Sequence, residues 1–98
     1  MAAKPLLPVF ARRLREAREV HGISQRNLGI KIGLDEFVAS SRINRYETGV
    51  HQPALAIQRK LAAVLGLPLA YFYAEEDELA RLIAEFKLRG RPSQKVRP

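Results

Sequence analysis

Apolar residues recur at helical spacing near the start of the chain. Phe10, Leu14 and Ala17 are separated by four and three positions. This spacing puts one apolar stripe along an α-helix, so the pattern predicts a first helix over residues 9–21. We expect its charged residues to face outwards: Arg12, Arg13, Arg15, Glu16 and Glu19. Gly22 follows as a natural C-cap.

A second, shorter helix is predicted over residues 25–32. Ser24 is a good N-cap residue, and Leu28 and Ile32 share the inward side. Gly33 then stops the helix, because a tight turn between two helices requires a positive φ that glycine adopts without strain.

The third predicted helix ends near residues 48–49, but its start has two interpretations. Asp35 could cap a helix that begins at position 36, or Ser40 could cap a shorter one. The longer helix places three apolar residues on one stripe: Ala39, Ile43 and Tyr46. The pattern favours the longer helix.

The rest of the chain also has helical patterns. Pro53 suits the first turn of a fourth helix that ends at Gly66, and Pro68 opens a short fifth helix that reaches about Tyr73. A last helix has acids at residues 75–78 and cations at its end, Lys87 and Arg89, which suits the helix dipole. One face of it carries Leu79, Leu82, Ile83 and Phe86. The prediction is an all-α fold.

Composition narrows the class of protein. The 98 residues are 47% apolar and suffice for one globular domain, while the absence of cysteine excludes disulfides and thiolate metal sites. No apolar run is long enough to span a membrane, so we expect a cytoplasmic protein. The net charge is +7, and residues 1–33 hold seven Lys/Arg against two acids. Residues 87–98 are also strongly basic. A nucleic-acid contact face in the first block and a basic tail at the end would produce this distribution of charge.

A short helix, a glycine turn and a second helix with an outward cation form a unit suited to the DNA major groove. On a helical wheel with Ile43 pointing inwards, Ser41 and Arg45 lie nearly opposite it, and Arg42 and Asn44 flank them. A guanidinium at position 45 could donate two hydrogen bonds to guanine, and the neighbouring polar groups could contact adjacent base edges. The alternative is that Arg45 binds a phosphate or is solvated.

Residues 10–73 resemble the lambda-repressor-like helix-turn-helix domain of phage repressors, Cro proteins and many bacterial regulators. The resemblance rests on ordered features that include Leu14, Arg18, Gly22, Ser24, Gln25, Leu28, Gly33, Ile43 to Gly49, Pro53 and Leu61 to Gly66. It implies a five-helix domain over residues 9–73. An N-terminal arm at residues 1–8 would precede it; a helix at residues 74–89 and a disordered basic tail at residues 90–98 would follow.

The chain departs from the family in the length of one segment. Typical members have ten positions between the turn glycine and the glutamate near the end of the third helix, whereas Gly33 and Glu47 are fourteen apart. Four residues are about one helical turn. The insertion, residues 34–37, would therefore either lengthen the recognition helix without rotating its faces or form a wider loop.

The resemblance also assigns roles to side chains. It gives Ser40, Ser41 and Arg45 positions that face the bases, and the wheel adds Arg42 and Asn44. Gln25 resembles the family position that binds a DNA phosphate, and further candidates for backbone contact are Arg26, Asn27, Thr48, His51 and Gln52. The family places Arg18 and Glu47 in a partly buried ion pair.

Two apolar residues, Phe37 and Val38, fall on the outer side of the third helix. One hypothesis is that one of them packs on a thymine methyl group in the groove. The alternative is that the insertion folds back and buries them.

The apolar stripe of the last helix must pack either on the domain core or on a second copy, and we favour a homodimer. Tyr71 and Phe72 add apolar area nearby. A dimer would place two recognition helices about 34 Å apart and require an inverted-repeat operator. The predicted function is a sequence-specific transcriptional regulator that represses a promoter by occupying it; activation through an acidic patch that faces the polymerase is the alternative.

Other classes of function are less well supported. An antitoxin that binds a toxin protein and its own promoter is the alternative, with the acidic run and the last helix as the partner surface. The two histidines, His21 and His51, lie at helix ends, and no phosphate-binding glycine loop or metal cluster suggests an enzyme. We therefore predict no cofactor, no metal and no small-molecule ligand.

Overall fold

The computed structural model describes residues 8–90, with side chains as far as Phe86. Residues 1–7 of the predicted arm (residues 1–8), residues 91–98 of the predicted tail (residues 90–98) and the side chains of Lys87 and Arg89 lie outside the described residues. Within the described part, no helix has the length and hydropathy needed to cross a membrane.

The described residues form five α-helices and one 3₁₀ helix, with no strand among them. The α-helices are α1 (Val9–His21), α2 (Gln25–Lys31), α3 (Glu36–Glu47), α4 (Leu55–Leu65) and α5 (Asp77–Gly90), and the 3₁₀ helix covers Leu69–Tyr73. The predicted all-α fold class is confirmed. Local signals account for the ends of the helices: Gly22 and Gly66 adopt left-handed C-caps with φ of 79° and 71°.

The start of α3 settles the choice between a longer helix and a wider loop. Asp35 is the N-cap, and its Oδ2 accepts a hydrogen bond of 2.9 Å from the Phe37 amide. The four additional residues therefore lengthen α3 at its N-terminus, because most of them lie in the cap and first turn of the helix.

The core lies where α1, α2, α3, α4 and the 3₁₀ helix meet. Its largest fully buried side chains are Leu14, Leu28, Ile43, Leu61 and Phe72. The rings of Phe10 and Phe72 pack with centroids 5.3 Å apart, which joins α1 to the 3₁₀ helix. Helix α3 contributes Ala39, Ile43 and Tyr46 to the buried side, and its outer face is exposed.

The prediction for Pro53 was wrong by two positions. Helix α4 begins at Leu55 with Ala54 as its N-cap, so Pro53 precedes the helix. Pro53 is buried, and its carbonyl accepts a hydrogen bond of 2.8 Å from the buried Gln58 side chain. The proline closes the connection to α3 instead of opening α4.

The prediction that Arg13 faces outwards was also wrong, since its side chain is 4% exposed. Its Nε donates to the Ala74 carbonyl at 2.8 Å, and its guanidinium lies 3.0 Å from Glu16 and 3.1 Å from Asp77. The segment between the 3₁₀ helix and α5 covers this side of α1, which the pattern of α1 alone cannot reveal. Arg13 therefore anchors the beginning of α5.

Candidate nucleic-acid interface

Helices α2 and α3 approach each other closely at Gly29. A Cβ atom added there would lie 2.6 Å from the Cβ and 2.9 Å from the Cα of Ala39, so no side chain fits. Gly33 makes the turn between the helices with a φ of 98°, and the Leu34 amide donates to the Gly29 carbonyl at 2.9 Å. Glycine at position 29 fixes the helix-turn-helix geometry, and our sequence analysis did not single it out.

The predicted ion pair between Arg18 and Glu47 is present. Glu47 is 2% exposed and accepts two hydrogen bonds from the Arg18 guanidinium, from Nε and, at 3.2 Å, from Nη2. Arg18 also donates to the Ile23 carbonyl at 3.0 Å. The hydrogen bond to Glu47 raises the pKa of Arg18, while burial lowers it. The pair joins α1 to the end of α3.

Gln25 connects α2 to the same network. Its Nε2 donates to Glu47 Oε1 at 3.0 Å and to Asn44 Oδ1 at 3.2 Å, and its Oε1 accepts a longer hydrogen bond of 3.5 Å from Ser40. Three of the residues assigned to DNA contact, Gln25, Ser40 and Asn44, thus lie together and orient one another.

The outer face of α3 carries exposed side chains that include Phe37, Val38, Ser41, Arg42 and Arg45. Within residues 8–86, neither Arg42 nor Arg45 forms an ion pair or a side-chain hydrogen bond. Two guanidinium groups are therefore available for an anionic ligand on the face opposite Ile43.

The other candidates for backbone contact surround this face. Arg42, Arg45, His51 and Gln52 line one open groove of about 410 Å³ between α3 and the start of α4. Arg26 is exposed but paired with Glu36 at 3.1 Å, and Asn27 is exposed beside it.

Thr48 differs from these candidates in that its hydroxyl hydrogen is already engaged. Its Oγ1 donates to the Asn44 carbonyl at 2.9 Å. To donate to a DNA phosphate, the Thr48 hydroxyl must first break that bond. Thr48 is therefore the weakest of the candidates for backbone contact.

One residue that was predicted to lie in the dimer surface is buried in the core instead. Phe72 is 0% exposed and belongs to the core, so it presents no side chain to a partner. Tyr71 is half-buried below the Arg13 guanidinium, 5.8 Å from its ring centre, and burial raises the pKa of its phenol. Leu79, Leu82 and Phe86 are exposed along α5 and Ile83 is half-buried.

Residues 9–71 match the model of a helix-turn-helix domain family. The chain belongs to this helix-turn-helix family. Among solved structures, it is similar to the crystal structure of the transcriptional regulator BswR, with 42% sequence identity and a TM-score of 0.79. That match covers 92% of this chain and 86% of the BswR chain. No curated protein sequence matches the chain.

Proposed function

We propose that this helix-turn-helix protein is a sequence-specific transcriptional regulator that inserts α3 into the major groove of double-stranded DNA. The observation that carries the proposal is the outer face of α3, where Arg42 and Arg45 have no ionic partner among the described residues. Its structural relative BswR is a transcriptional regulator, which supports the same role for this chain.

In this proposal, Arg45 donates two hydrogen bonds to a guanine, because its guanidinium projects opposite the buried Ile43. Ser40, Ser41, Arg42 and Asn44 contact neighbouring bases. The hydrogen bond from Gln25 to Asn44 Oδ1 leaves the Asn44 amide hydrogens to donate to a base acceptor. Gln25, Arg26, Asn27, His51, Gln52 and, less favourably, Thr48 contact phosphates on either side of the groove.

We propose a homodimer formed through α5, with residues 9–73 as the DNA-binding domain of each subunit. The apolar side chains Leu79, Leu82 and Phe86 are exposed in one chain, and a second copy would cover them. A two-fold dimer places its recognition helices one DNA turn apart, so the operator is an inverted repeat. Such a dimer represses a promoter by occupying it.

Selection of bound sequences from a random pool of DNA duplexes tests the proposed function. We expect an inverted repeat with half-site centres about one helical turn apart, and an affinity that falls steeply with salt because phosphate contacts release counterions. Recovery of unrelated sequences, or an affinity insensitive to salt, would contradict the proposal.

Sedimentation equilibrium tests the dimer. Leu82→Asp places a charge in the proposed contact and is expected to give monomers. Leu55→Asp is the matched control, since Leu55 on α4 and Leu82 are both 52% exposed. Dimers of equal strength in both variants would exclude α5 as the interface.

A further inference from the structure

We propose that Phe37 is a specificity residue that packs on the C5 methyl group of a thymine in the major groove. The inference rests on the proposed function, because it assigns a ligand group to one residue of the same recognition helix. It depends on three observations: the exposure of Phe37, its place on α3 and the chemistry of the groove.

The exposure of Phe37 removes the alternative that the inserted residues bury it. The ring is 86% exposed, whereas the neighbouring Ala39 is 0% exposed. Phe37 lies in the first turn of α3, and its own amide is bound by the Asp35 cap, so the backbone there is fixed. The adjacent ion pair of Arg26 with Glu36 at 3.1 Å also ties this turn to α2.

The helical register aligns Phe37 with the proposed base contacts. Phe37, Ser41 and Arg45 are separated by four positions each, so they follow one stripe of α3. Recognition helices contact base edges mainly with their N-terminal residues. The additional turn therefore extends the DNA-binding face at the end that enters the groove.

The chemical groups in the major groove of DNA indicate which of them Phe37 contacts. The thymine methyl is the apolar group among the base-pair edges of the major groove, and the other groups there are hydrogen-bond donors and acceptors. A phenyl ring has neither, while the cations Arg42 and Arg45 on the same face favour a DNA ligand over an apolar protein surface.

The spacing of the stripe gives the position of the thymine. Eight residues of helix span about 12 Å, and base pairs are stacked about 3.4 Å apart. The thymine that contacts Phe37 is therefore expected within about three to four base pairs of the guanine that contacts Arg45.

The experiment uses the operator selected by the wild-type protein. Each thymine is replaced in turn by deoxyuridine, which lacks only the methyl group, and the affinity of the full chain is measured with and without Phe37→Ala. In each half-site, we expect one thymine whose replacement by deoxyuridine lowers the affinity of the wild type about fourfold. Phe37→Ala should bind both duplexes equally, with an unchanged melting temperature.

Val20→Ala is the matched control, because Val20 is 88% exposed and belongs to α1, in a groove whose lining includes no residue of α3. It should keep the wild-type preference for thymine. Specific DNA binding in which no thymine methyl is coupled to Phe37 would overturn this inference and leave the proposed function intact. A Phe37→Ala variant that changes only the oligomeric state would identify a protein contact and overturn it too. Failure to select any specific sequence would instead overturn the proposed function.

Discussion

Helix α1 carries four arginines and α3 carries two, and the two sets have different surroundings. Each arginine of α1 has a carboxylate within 4 Å, and the partners are Glu16, Glu19, Glu47 and Asp77. The guanidinium groups of Arg42 and Arg45 have none among the described residues. Arg12, Arg13 and Arg18 therefore connect α1 to other segments and Arg15 is paired within α1, whereas the arginines of α3 are left for a ligand.

This difference corrects our interpretation of the charge distribution. The excess of seven cations over two acids in residues 1–33 suggested that this block forms the DNA-contact face. Most of these cations are in fact neutralised by acids from the same helix or from distant segments. The proposed contact face lies on α3, in residues 34–52, where three acids outnumber two cations.

The largest expected effect on stability comes from Glu47→Ala. The change leaves Arg18 without its main partner in a partly buried network and removes one of the two acceptors of Gln25, which keeps Asn44 Oδ1. We expect a loss of about 3 kcal/mol in the free energy of unfolding, measured by urea denaturation. Glu36→Ala, which removes the exposed pair with Arg26, should cost less than about 1 kcal/mol. Equal losses would show that burial does not distinguish the two pairs.

A smaller effect is expected for Arg13→Met, which keeps an apolar stem and removes the donors to the Ala74 and Glu75 carbonyls. We expect a loss of about 2 kcal/mol in the free energy of unfolding. The mutation should also accelerate amide hydrogen exchange more in residues 77–86 than in α3. Arg15→Met, which breaks an exposed pair with Glu19, is the control and should change neither quantity appreciably. Unchanged exchange in α5 would mean that Arg13 does not anchor that helix.

The smallest effect on stability is expected for Arg45→Met. Because the exposed guanidinium forms no ion pair or hydrogen bond with another described side chain, the free energy of unfolding should change by less than about 0.5 kcal/mol. The free energy of binding to the selected operator should become less favourable by about 1–3 kcal/mol. At one base pair of the operator, the variant should no longer discriminate between the bases. An equal fall in affinity for all sequences would make Arg45 a phosphate contact.

The sequence was sufficient to predict features that depend on neighbouring residues. Ser24, Asp35, Gly22 and Gly66 mark helix ends by their own caps and turns, so these four helix ends follow from local patterns, whereas the start of α4 does not. The Arg18–Glu47 pair was predictable only through the family resemblance, since its partners are 29 positions apart.

What the sequence by itself determined was the all-α fold, the helix-turn-helix unit and the outward register of Arg45, since each follows from spacing within one or two helices. The tertiary structure alone decided that Arg13 and Phe72 are buried, that Gly29 must lack a side chain and that Phe37 is exposed. The physical reason is that burial depends on what packs against a residue. The acceptor for Arg13, the Ala74 carbonyl, is 61 positions away.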